Sequence, residues 1–113
     1  MAFTMIATTS YAQTIRTGQD LHDGWMAAQR IQSGNESNVS LNEETLAFMF
    51  IGYVQGATDI AQDTKALLFP KGTSNGQLVA IVGKYLDNHP EEWNLKASSI
   101  VMRALRPIYG YKN

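Results

Sequence analysis

Apolar residues recur along this chain at steps of three and four, and no alternating apolar and polar run competes with them. After Thr17, a residue able to cap a helix, Leu21, Trp25, Ala28 and Ile31 fall on one helical face until Ser33-Gly34 ends it. The stretch "SGNESNVS" that follows is polar and turn-rich and predicts a loop. Ser40 and Glu43 have capping-box spacing, and "LNEETLAFMFIGYVQGATDIAQDT" predicts a long central helix with acidic residues in the first turn, where the helix dipole favours them. Its apolar face comprises Leu46, Met49, Phe50, Tyr53, Val54, Ala57 and Ile60 or Ala61. Gly52 and Gly56 lie one turn apart within it and weaken the helix, which predicts a neighbouring helix packed close to the backbone there.

Ser74 and Gln77 repeat the capping box, and Leu78, Ile81, Val82, Tyr85 and Leu86 give the cleanest amphipathic pattern in the chain. Pro90 ends that helix at or before His89. A fourth helix is predicted to start near Asn94 and to carry Ala97, Ile100, Val101, Ala104, Leu105 and Ile108 until Pro107 and Gly110 intervene. Each stripe must be buried against the others, so the expected fold is all-α: a compact bundle of about four amphipathic helices in a single domain.

Composition narrows the function. A length of 113 residues suits one core, and 44% hydrophobic with 17% charged residues is the make-up of a folded chain. Basic residues number nine against ten acidic, none of the basic ones clustered, so the footprint needed to hold a phosphate backbone is missing and nucleic acid is not an expected partner. Cysteine is absent, which removes disulfides, thiolate metal sites and thiol nucleophiles. No segment approaches the ~20 apolar residues that span a bilayer. The start, "MAFTMIATTSYAQ", is apolar and rich in small residues, with Ser10 and Ala12 placed as at a signal-peptidase site before Gln13. Residues 1–12 are therefore expected to be a remnant of an export signal, and 13–113 the helical domain.

The chemical candidates reduce to a turn. "PKGTSNGQ" precedes a helix but lacks the strand and the Gly-Lys-Ser/Thr order of a phosphate loop, and reads as a helix cap. His89 with Asp87, Glu91 and Glu92 could make an acid/base cluster, yet it sits on a proline turn with no signal of burial, and unburied groups keep ordinary acidities. His22 and His89 lack a second ligand at metal spacing, and Ser98 and Ser99 lack a strand-turn-helix setting. Neither a catalytic constellation nor a metal or cofactor site is expected. Trp93 remains unusual on a polar turn between two helices, serving either as a plug for the core or as an interface aromatic.

Three blocks, "FIGYVQGATD", "FPKGTSNGQLVAIVGKYLDNHPEEW" and "LKASSIVMRAL", together resemble the Rap/Tai-type immunity proteins of bacterial type VI secretion systems, over about Thr17 to Tyr109. The resemblance implies a small exported helical protein of the periplasm, often a homodimer. Such a protein binds a peptidoglycan-cleaving amidase delivered by a neighbouring cell and occludes its active-site groove. Members of that family commonly carry cysteines, at positions that fall near Trp25 or Met26, at Phe50, at Leu68 and near Gly110; this chain has none. The expected partner-binding residues are Lys84, Asp87, Asn88, His89, Glu91, Glu92 and Trp93, because polar residues flanking an aromatic on a turn suit a plug for a catalytic groove. The competing expectation is a periplasmic structural or chaperone-like helical protein that uses its apolar faces and has no amidase partner. A third, a small hydrolase built on His89 and Glu92, lacks acid/base geometry in the sequence.

Overall fold

The computed structural model describes residues 14–34 and 39–111, so the expected export remnant lies outside the described residues. Among the described residues four α-helices follow one another: α1 (Gly18–Gln32), α2 (Leu41–Asp63), α3 (Asn75–Asn88) and α4 (Ala97–Tyr109), with a 3-10 turn at Pro90–Glu92 between the last two. No strand accompanies them among the described residues; two isolated bridges pair Thr17 with Lys96 and Leu67 with Gly110. The described residues form a single compact all-α domain. Among the described residues no helix is long and apolar enough to cross a membrane.

Capping boxes set three of the four helix starts. Thr17 with Asp20, Ser40 with Glu43 and Ser74 with Gln77 each exchange side-chain and backbone hydrogen bonds, satisfying N–H groups that have no partner within the helix. The fourth start differs. Lys96 offers α4 no side-chain cap, and the N–H of Ala97 instead donates to Arg16 O at 2.9 Å. In return, Gly18 N–H donates to Leu95 O and Gln19 N–H to Trp93 O, both at 2.8 Å, so the exposed donors of α1 are met by the segment that leads into α4. This exchange places the start of α4 at Ala97, three residues beyond the position near Asn94 that its periodicity suggests.

The core joins Leu21 of α1, Phe50 and Val54 of α2, Val82 and Leu86 of α3, and Ile100, Val101 and Leu105 of α4. Leu67, in the connection between α2 and α3, is fully buried with them. On α2 the inward residue of the pair left open by the sequence is Ala61; Ile60 is 66% exposed. The expected close packing at Gly52 and Gly56 is not found, because a Cβ at either would have nothing within 4 Å. Both border an apolar groove of about 550 Å³ between α2 and α4. The intimate helix crossings lie at other glycines: a Cβ on Gly24 would enter the side chain of Phe50, and one on Gly83 would enter the indole of Trp25.

The rings of Trp25 and Phe50 pack with centroids 6.0 Å apart, and Leu68 N–H donates to Tyr109 O at 2.9 Å beside Gly110.

Candidate partner-binding turn

Leu86, buried in the core, fixes the last turn of α3, and the residues around it face outward. His89 ends the helix, and Pro90, with no N–H to continue the ladder, opens the 3-10 turn that delivers Trp93 back against the bundle. Trp93 is half-buried there. Its indole N–H donates to Leu86 O at 2.8 Å, and its ring stacks on His22 of α1 with centroids 4.0 Å apart. Gly18 makes this seating possible, since a Cβ on it would meet Trp93 Cα at 3.0 Å.

Asp87 is tied to the same helix. Its Oδ2 accepts from Trp25 Nε1 at 3.0 Å and its Oδ1 lies 3.3 Å from His22 Nε2. An ionised carboxylate only accepts, so Nε2 of His22 carries the hydrogen in this contact. The indole of Trp25 lies across Gly83, one turn before Asp87, so that α3 offers the ring a flat backbone and then an acceptor for its N–H.

On the other side of the turn Tyr85 plays the corresponding part. Its ring stacks on His89 with centroids 4.0 Å apart, and its hydroxyl donates to Glu92 Oε1 at 2.7 Å. Burial, then the hydrogen bond to Glu92 and that residue's charge, push the Tyr85 phenol above its ordinary value, while Arg103 acts in the opposite direction. Arg103 approaches Glu92 Oε2 at 3.7 Å. His89 Nδ1 lies 2.8 Å from Tyr85 O; a carbonyl cannot donate, so Nδ1 carries the hydrogen and Nε2 is left as the ring atom available to a neighbour.

The seven expected partner-binding residues therefore come together at one end of the bundle, but in two roles. Lys84, Asn88 and Glu91 are exposed. Asp87, His89, Glu92 and Trp93 are engaged within the protein, Asp87 while still partly open to solvent. His89, Glu91 and Glu92 also bring three ligand-type atoms within 4.8 Å of one another. A cation there would compete with the bonds that Tyr85 and Arg103 already make to Glu92.

Sequence reasoning missed His22, Trp25, Tyr85 and Arg103 as supports of the turn. The spacing of Gly83 and Asp87 by one helical turn is a local signal of the Trp25 seat; the remaining contacts join residues far apart in the chain, His22 and Asp87 by 65 positions.

The family model of the Rap1a immunity proteins matches residues 17–109, from the cap of α1 to the last residue of α4. Comparison with curated proteins and with solved structures gives no match.

Proposed function

The chain belongs to the Rap1a immunity proteins, and from that membership we propose that it acts in the periplasm, where it binds a peptidoglycan amidase delivered by type VI secretion and neutralises it by covering the active-site groove. The observation that carries the choice of surface is the braced turn between α3 and α4. It projects Lys84, Asn88 and Glu91 from a support held on both sides, by Trp25, His22 and Trp93 toward α1 and by Tyr85 and Arg103 toward α4. A pre-shaped polar projection loses little conformational freedom on entering a cleft, which favours tight binding. Inhibition by occlusion requires no group transfer by this protein, and the internal bonds of His89 and Glu92 suit that role better than acid/base work.

Capture from the native cell envelope, with mass-spectrometric identification of the bound protein and of the mature N-terminus, tests the proposal. An amidase recovered in stoichiometric amount and silenced on hydrolysis of peptidoglycan is the expected result. Full amidase activity in the presence of excess protein would sink it.

The reading as a client-holding helical protein draws on a different face. On α2, Phe48 is 67% exposed beside the groove it shares with Trp25, Ile31 and Val79, and Leu41, two turns earlier on the same side, is 79% exposed. Absence of an effector gene beside the chain's own, with binding of unrelated unfolded proteins through that face, would favour this second reading.

A further inference from the structure

We infer that Asp87 is a positioning residue, which sets the seat of the Trp93 ring in the recognition turn by gripping α1 and does not itself touch the partner; this rests on the proposed partner-binding role of the turn. A carboxylate in the last turn of a helix opposes the helix dipole, so Asp87 brings α3 no benefit as a local residue. Both of its oxygens face α1, one receiving the indole N–H of Trp25 and the other the imidazole of His22. From His22 the contacts continue: its ring lies on Trp93, and the Trp93 indole N–H returns to Leu86 O, the carbonyl immediately before Asp87. Asp87, His22, Trp93 and Leu86 thus form a closed circuit that spans α1, the end of α3 and the end of the 3-10 turn. The main-chain bonds from Gly18 and Gln19 hold the backbone of this segment to α1, so opening the circuit at Asp87 loosens the seat of the Trp93 ring on the α1 side while the Tyr85–Glu92 side stays in place.

Two substitutions separate positioning from direct contact. Asp87→Asn keeps an oxygen for Trp25 and removes the charge, and its NH2 donates to His22 once that ring carries its hydrogen on Nδ1; Asp87→Ala removes both contacts. Asp87 lies outside the core and alanine favours the helix, so both variants are expected to fold. In the free protein, the indole N–H of Trp93 should exchange with solvent at least ~10-fold faster in D87A and within about 3-fold of the unmodified rate in D87N, as follows from losing or keeping hydrogen bonds that join the circuit. Affinity for the amidase recovered by capture from the cell envelope should follow the same order, the loss in D87A appearing as faster dissociation.

Equal loss of affinity in D87N and D87A with unchanged Trp93 exchange would overturn the inference, because it would place the charge of Asp87 against the partner. Unchanged exchange and affinity in D87A would overturn it as well. If the unmodified protein does not bind or inhibit that amidase, the functional proposal fails separately, and accelerated Trp93 exchange in D87A alone still supports the brace.

Discussion

At the residue scale, the smallest side chains carry the tightest fits. Gly83 admits the Trp25 indole onto the backbone of α3, and a single methyl group there collides with a rigid ring that has no free end to yield. Gly83→Ala is therefore expected to lower stability by about 1–3 kcal/mol, the usual range for overpacking, with a corresponding fall in the urea midpoint. Tyr85 offers a milder test. Replacing it with Phe removes the donor to a half-buried carboxylate and should cost about 1 kcal/mol. The sign of its pH dependence follows from the raised phenol. The unfolded chain ionises this group near about 10, the folded chain only above that, so the stability it contributes is complete below pH ~10 and is lost as pH climbs toward the folded value. Urea midpoints followed upward from about pH 8 should fall more steeply for the unmodified protein than for Y85F; equal slopes would refute this linkage.

At the element scale, the glycines show which part of the fold was legible in the sequence. Helix existence, the Thr17 cap, two capping boxes and the polar turn follow from local pattern, and each is present. Whether a glycine is needed for close approach depends on what another helix brings to it. Gly52 and Gly56 resemble a packing motif and face open space, whereas Gly24 and Gly83 stand alone in the sequence and meet Phe50 and Trp25. Ala in place of Gly52 or Gly56 is accordingly expected to raise stability by about 0.5–1 kcal/mol each, since the helix gains propensity without a clash. A loss on either change, measured by chemical denaturation, would show that the groove beside them is filled in solution. Likewise, Trp93 stood out as an aromatic on a polar turn, but the destination of its N–H, Leu86 O, is fixed only when α3 and the turn are both in place. The start of α4 at Ala97 was hidden for the same reason: its first donor is met by Arg16, from the opposite end of the chain.

At the scale of the whole molecule, the exposed and the engaged halves of the turn make separate predictions. Changing Lys84, Asn88 and Glu91 together to Ala should leave the denaturation midpoint nearly unchanged, because surface substitutions away from packed or bonded groups shift stability within about 0.5 kcal/mol. If the proposed function holds, the same triple change should abolish inhibition of the amidase. Retained inhibition would move the recognition surface elsewhere, with the side of α2 where Leu41 and Phe48 are exposed the next place to search.

The main-chain exchange between the strand-like segment before α1 and the approach to α4 has a further consequence, in time rather than in space. Gly18, Gln19 and Arg16 complete their hydrogen bonds with Leu95, Trp93 and Ala97, residues synthesised about two thirds of the chain later. A chain emerging from its N-terminus can wind its first helices but cannot seat α1 until the last quarter has followed. Any chain of this kind drawn linearly through a narrow passage would remain without its final structure throughout transit, and would close into the finished bundle only on the far side.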